Sequence, residues 1–353
     1  MASALEISRR FCEQIVLPAI RDHHTELYDR VAVGVAGTGS DVLGLDDEIS
    51  RDHHWGPRAA VLLLDEDAGR HGLALREALT SACPPRFEGF EVHLDRSNRT
   101  GVCVDAISSY LTWFLGRARL PERDEDWFGL CETDLLHVTA GAVFHDPAGR
   151  WSAIREALGY YPERVWHKRV ADWCMYVTGR DAPYNLHRVS LREDEAAAQV
   201  YFGQALRRTM ELAFALERRY APYPKWQYRL LRTLGGCGPR ILPMLEKLVK
   251  PSAWKSRVEG LIEINHVFAQ RLCELGLTEP PEFKPFDPSL TDLTLYASAT
   301  EIYAGLPVAW REVSFNQVES WEKMARQVLF DSADYFQTRY GSAAGEPFSG
   351  ENI

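Results

Sequence analysis

The sequence predicts an α+β protein, with a small α/β head built on a mixed sheet and a large all-helical region after it. Three observations predict it. Short β-branched apolar runs, Val31–Ala36 and Ala59–Leu64, fall within the first hundred residues, and a third strand-like run covers Phe87–Leu94. From residue 104 onward, long runs with apolar residues at helical spacing replace them, and strand-like alternation nearly disappears. The chain has 353 residues, enough for two or three domains at about 150 residues each.

Taken in order, residues 3–21 space Leu5, Phe11, Ile15, Leu17 and Ile20 as one helical face. The first strand run ends in Gly37-Thr38-Gly39-Ser40, a turn signal, and an acidic loop from Asp41 to Arg51 follows. Asp52-His53-His54-Trp55-Gly56-Pro57-Arg58 leads into the second strand run, residues 71–82 read as a helix, and 87–94 as the third strand. Beyond them, helices are expected over 104–116, 134–145, 150–160, 163–178, 192–219, 226–234 and 257–275. The clearest of these stops at Tyr220-Ala-Pro-Tyr-Pro224, where two prolines end it. Glu279–Pro288 reads as an exposed connector, and Ser314-Phe-Asn-Gln317 as the capping box of a last helix running to about residue 339. The expected domains are therefore an α/β domain over 1–103, a helical domain over 104–278, a helical extension over 279–340 and a disordered tail over 341–353. Arg21-Asp22-His23-His24 is echoed by Arg51-Asp52-His53-His54, but nothing around the two tetrads matches, so they are not a repeat. His23 and His24 are expected at an exposed helix end, and His145-Asp146 at a helix C-terminus.

Forty basic against fifty acidic residues leave a formal charge of −10, which argues against a nucleic-acid binder held by phosphate neutralisation and against a polybasic membrane-surface protein. No stretch approaches the length of a membrane span, and Glu6, Arg9, Arg10 and Glu13 spoil a signal peptide. The seven cysteines are scattered and never spaced as C-x-x-C, as in a reduced cytoplasmic protein with buried thiols. There is no G-x-S-x-G, H-E-x-x-H, Walker or G-x-G-x-x-G pattern.

The chemistry-bearing constellation is in the head. A buried strand enters Gly39-Ser40, Asp52-x-His54 follows after a gap of eleven residues, and Glu91 sits on the third strand run. Residues two apart on a strand share a face, so Asp52 pairs with His54, and Glu91 with His93 and Asp95. A Gly-Ser turn lets backbone N–H groups approach phosphate oxygens. This pattern resembles the nucleotidyltransferase superfamily that includes DNA polymerase beta and the aminoglycoside adenylyltransferases. In that superfamily an apolar strand, Gly-Ser and two carboxylates one residue apart are followed by a third carboxylate on a later strand. The segments Asp52–Arg58, Thr139-Ala-Gly-Ala-Val-Phe-His145-Asp146, Tyr160-Tyr161-Pro162-x-x-Val165-Trp166 and Glu217-Arg218-Arg219-Tyr220-Ala-Pro-Tyr223-x-Lys225-Trp226 are similar to a bacterial family of nucleotidyltransferase-like proteins. Its helical half is classed as a domain of unknown function, and the match spans roughly 28–235.

The resemblance implies transfer of a nucleoside monophosphate from an NTP to a small-molecule or protein acceptor, with Mg²⁺ or Mn²⁺. Gly39 and Ser40 would hold the triphosphate, Asp52 and Glu91 the metal, and Arg58 and Lys225 would add positive charge. Arg58 is otherwise a surface residue at a strand start, and Lys225 otherwise snorkels over buried aromatics. Asp46, Asp47 and Glu48 are either a solvated loop or contacts to the metal. His54 stands where the superfamily has a carboxylate, and three readings stay open. Asp52 and Glu91 hold one metal; or His54 acts as a base or phosphate donor; or transfer is lost, leaving a binding or regulatory protein or a histidine pocket for metal-independent acid–base chemistry. No nucleic-acid or membrane partner is expected, and the oligomeric state is open.

Overall fold

The computed structural model describes residues 3–51, 55–92, 101–284, 292–317 and 319. It is α+β, with a small mixed sheet near the N-terminus and many helices after it. Two compact units form, and each draws on separate stretches of chain. The first takes Met1–Pro121 and Asp134–Gly159, and the second Glu122–Thr133 and Tyr160–Asn316.

In the first unit, α1 (Ala4–Phe11) starts with a capping box between Ser3 and Glu6 and runs through a π-turn into α2 (Leu17–His23). A break at His24 leads to α3 (Thr25–Tyr28) and then β1 (Ala32–Val35). β2 (Arg58–Leu63) lies antiparallel to β1, and α4 (Asp65–Ala82) follows it, opening with three acidic residues that suit a helix N-terminus. β3 (Arg86–Phe87) and β4 (Phe90–Glu91) make a separate two-stranded hairpin, and β5 (Gly101–Ala106) pairs parallel to β2. After α5 (Ile107–Leu115) and α6 (Glu132–Thr139), β6 (Ala142–His145) joins the free edge of β1, giving the order β5-β2-β1-β6; α7 (Arg150–Ala157) closes the unit.

Register assigns the two faces of this sheet. Val33, Val61, Leu63 and Val104 point into one core with Ile7, Phe11, Ile20, Leu27, Leu75 and Leu79 of the preceding and following helices. The opposite face carries Ala32, Gly34, Arg58, Ala60, Leu62, Cys103 and Asp105. An aromatic group of Tyr110, Phe114 and Trp151 packs beneath the turn after β1, while Ala60 and Asp105 remain half-buried and Cys103 exposed.

Two readings of the sequence change here. The run 134–145 is not one helix: α6 ends at Thr139, and Gly141, whose φ is +81° and whose missing Cβ leaves room for the Val35 carbonyl, turns the chain into β6. His145 therefore ends a strand, its Nε2–H donating to the Tyr28 carbonyl at 2.6 Å, and Asp146 accepts from the Arg150 and Ser152 N–H groups to start α7. The stretches 104–121 and 134–159 cluster with the N-terminal sheet, because β5 and β6 complete it on both edges.

The second unit holds α8 (Glu163–Thr178), α9 (Leu186–Ser190), α10 (Glu195–Leu216), α11 (Pro224–Leu231), α12 (Gly238–Leu248), α13 (Trp254–Glu274) and α14 (Leu293–Ala304). Lys168 on α8 is buried and donates to both Asp172 oxygens at 2.8 Å, and Tyr303 of α14 donates to the same carboxylate. Glu132 accepts from Arg169, Tyr161 and the Ala221 N–H. These charges are paired and hydrogen-bonded, as buried charges must be. α9 and α12 fall where the sequence predicts no helix, and α14 falls within the extension expected to be helical; the helix expected after Ser314 and the tail over 341–353 lie outside the described residues almost entirely. Among the described residues no helix is long and apolar enough to cross a membrane, and the seven cysteines are unbridged.

Candidate functional site

The turn that carries β1 off the sheet is built on two glycines. Gly37 has φ +94°, and its N–H donates to the His137 carbonyl at 2.8 Å. Gly39 has φ +136°, and a Cβ there would stand 2.2 Å from Asp41 Oδ1 and 3.0 Å from Arg58 Nη2. Only glycine fits, because the Asp41–Arg58 pair lies directly under it. Ser40 anchors the far side, its carbonyl accepting from the Leu43 and Leu45 N–H groups. Among the described residues, the half-buried Gly39 N–H meets no acceptor.

Arg58 has a different task from the one expected of it. Its side chain is 7% exposed; Nη2 donates to Asp41 Oδ1 at 2.8 Å and Nη1 to the Thr38 carbonyl at 3.0 Å. The backbone at Arg58 is held in turn by the fully buried Ser8 hydroxyl of α1, which accepts from the Arg58 N–H and donates to the Gly56 carbonyl. The guanidinium is thus committed to bracing the 38–41 turn and is not placed as a phosphate clamp. Burial pushes the Asp41 carboxyl above its ordinary range, against the opposing pull of Arg58 and the Val42 N–H. Asp41 Oδ2 and Arg58 Nε find no partner among the described residues, so this buried pair is incompletely satisfied.

Asp52 and His54 lie outside the described residues, as do His53, His93 and Asp95, so the expected sharing of faces among them has no structural counterpart. The acidic loop before them is described and turns inward. Asp46 Oδ2 accepts from the Ala4 N–H at 2.7 Å and from Trp55 Nε1 at 3.3 Å, and Asp47 accepts from the Ser50 N–H and hydroxyl. These carboxylates fasten the loop to α1 and to itself.

Glu91 is not on the sheet that carries β1 and β2. It sits in the β3–β4 hairpin opposite Arg86, and is exposed. Its neighbour Phe90 packs edge-on against Trp55 at 4.8 Å, so alternation turns Glu91 the other way. The strand that does continue the sheet is β5, and its carboxylate is Asp105, level with Leu62 and Ala32 on the half-open face. Asp105 accepts from the Ala106 N–H at 2.9 Å. The alternating Val102-x-Val104 run before Asp105 is the signal that could have found this strand, whose second half falls at the start of the run 104–116 expected to be helical. Lys225, in the second unit, is exposed at the N-terminus of α11 with its Nζ 5.0 Å over the Trp226 ring.

The described donors do not assemble a Mg²⁺ cage. Asp41, Asp46 and Asp47 are taken up by the loop, Glu91 belongs to another hairpin, and Asp105 is the single carboxylate among the strand residues of the half-open face. What the turn can do is bind an anion, through a backbone donor held rigidly at the end of a strand.

No curated protein matches the chain. Among solved structures it is similar to a nucleotidyltransferase-like protein from Exiguobacterium sibiricum 255-15, at 13% identity over 76% of this chain and 82% of that one, with a TM-score of 0.36. A family described as "Domain of unknown function (DUF4037)" matches residues 127–227, a stretch with segments in both compact units.

Proposed function

We propose that the chain binds a nucleoside triphosphate at the Gly37–Ser40 turn and transfers its nucleoside monophosphate to a small-molecule or protein acceptor. The observation that carries this reading is the turn itself: a glycine N–H that meets no acceptor among the described residues, fixed at the exit of a buried strand by a buried ion pair beneath it. The Gly39-Ser40 and Asp52-x-His54 pattern supports the nucleotidyltransferase class over other phosphate binders. The acceptor hydroxyl gives up its proton to solvent as its oxygen bonds to the α-phosphorus, the bond from that phosphorus to the bridging oxygen of the β-phosphate breaks, and pyrophosphate leaves with the bonding electrons. Mg²⁺ or Mn²⁺ bound with the triphosphate would supply charge neutralisation, and one or two protein carboxylates would suffice to hold it. Asp52 is proposed for that contact, and Asp105 takes the place first given to Glu91. Gly39 and Ser40 bind and orient phosphate, and Arg58 keeps their backbone in place.

A second reading, binding without transfer, is favoured by the half-open face, whose described strand residues carry one carboxylate, Asp105, where the superfamily pattern calls for several. One experiment separates the two: thermal shift and pyrophosphate release with ATP, GTP, CTP and UTP, each with Mg²⁺ or Mn²⁺, for the native chain and Asp52→Asn. Stabilisation with pyrophosphate release lost in Asp52→Asn supports transfer. Stabilisation without release across a panel of acceptors supports binding alone. No response to any nucleotide defeats both.

A further inference from the structure

We propose that His24, Glu26 and His71 form a binding site for a zinc-class divalent transition-metal ion, on the helical layer of the first unit and separate from the Gly37–Ser40 turn. One ligand atom from each of the three residues lies within 4.8 Å of the others. Glu26 Oε1 stands 3.7 Å from His24 Nδ1 and 3.6 Å from His71 Nδ1. Both separations are too long for a normal hydrogen bond. They suit a shared ion much better: with metal–ligand bonds of about 2.0–2.2 Å, the edges of a coordination tetrahedron are about 3.3–3.6 Å. Two imidazoles turn the same ring nitrogen toward one carboxylate oxygen, and a water completes the four positions.

The backbone prepares this arrangement. His24 occupies the break between α2 and α3, with φ −142° and ψ 54°; its N–H donates to the Ile20 carbonyl and its own carbonyl accepts from the Leu27 N–H. That corner sets the ring, whose side chain is 13% exposed, next to Glu26 two residues later. His71 approaches from the second turn of α4, whose first turn is already tied to the end of α3 by Arg30 through Glu66 and Asp67. An ion at the three ligands would make a second tie between the same elements. Two imidazoles and a carboxylate suit Zn²⁺, Co²⁺, Ni²⁺ or Cu²⁺ better than Mg²⁺ or Ca²⁺, which prefer oxygen alone.

The test uses the full chain stripped with a chelator and titrated with Zn²⁺ by calorimetry, and with Co²⁺ followed by its visible d–d absorption. The expected result is one ion per chain at this site, a four-coordinate Co²⁺ spectrum and a Zn²⁺-dependent rise in Tm. His71→Ala and, as a second variant that keeps size and polarity, His71→Gln should each weaken Zn²⁺ by about tenfold or more. Asp52→Asn/His54→Ala should keep this site intact, which makes the outcome independent of the nucleotide reading. No stoichiometric binding overturns the proposal, as does unchanged affinity in both His71 variants or loss of the site in Asp52→Asn/His54→Ala.

Discussion

Replacing Arg58 with methionine should destabilise the first unit more at neutral pH than in acid. The substitution keeps the buried aliphatic stem and removes the charge, leaving Asp41, 1% exposed at its side chain, without its counter-ion. Breaking a buried pair in this way costs about 3–5 kcal/mol. At about 2–4 °C per kcal/mol for a unit of this size, Tm falls by about 6–20 °C. The pH dependence follows from the direction of the Asp41 shift. Burial already raises its folded pKa above the unfolded value of about 4, so the folded state holds its proton longer, and this group's contribution to stability falls as pH rises through that interval. Removing Arg58 takes away the largest opposing influence and widens the interval upward. The penalty should therefore shrink as pH is lowered, and be least below about 4, where the carboxyl is neutral in the folded and the unfolded state alike. Arg58→Met/Asp41→Asn should recover much of the loss at pH 7. Calorimetry and circular dichroism of the full chain at several pH values measure this. A loss below about 1 kcal/mol, typical of an exposed pair, or a penalty that does not shrink in acid, refutes the reasoning.

Gly39→Ala, whose Cβ would stand 2.2 Å from Asp41 Oδ1 at a φ of +136°, should cost at least about 1–3 kcal/mol and abolish nucleotide-dependent stabilisation, read by thermal shift. Glu91→Gln should leave nucleotide binding within about twofold, since the side chain sits on a separate exposed hairpin; a larger loss restores Glu91 to the site. Cys103, exposed on the half-open face, should react first with a thiol reagent at pH 8, the half-buried Cys83, which burial pushes up to about 11, more slowly, and the buried Cys12, Cys174 and Cys237 only on unfolding. Slower alkylation of Cys103 in the presence of Mg²⁺ and a triphosphate, followed by mass spectrometry, would put the ligand on that face. In the second unit, Lys168→Met should cost about 3–5 kcal/mol by stranding Asp172, measured by chemical denaturation.

The fold class and the β1-turn-β2 segment were legible in the sequence, because buried strands and glycine turns leave local signals. Legibility ended where the structure depends on distant partners. Arg58 read as a surface cation because Asp41, seventeen residues earlier, is its partner only through the turn between them. Ala142–His145 is too short and apolar to be told from the end of a helix, and it becomes a strand because the edge of β1 is open to receive it. Glu91 is expected on a single strand over 87–94, but the chain turns at Glu88-Gly89 and makes a separate hairpin of Arg86–Phe87 and Phe90–Glu91, because an apolar run says nothing of where it folds back or which strand is its neighbour. The three ligands of the histidine–glutamate cluster include one from a helix 47 positions away from His24, a spacing no local pattern contains.

The late arrival of β6 bears on synthesis. At about 5–20 residues per second, the 39 residues from Ala106 to His145 take about 2–8 s to make, and throughout that interval one edge of β1 has no partner. An open strand edge is a template for pairing with another chain. A nascent or truncated chain ending soon after Ala106 would therefore carry three strands of the sheet with an adhesive margin. A fragment meant to isolate the head should extend past His145 and so include Glu122–Thr133, which packs with the other unit. No single cut can release one unit intact from the other.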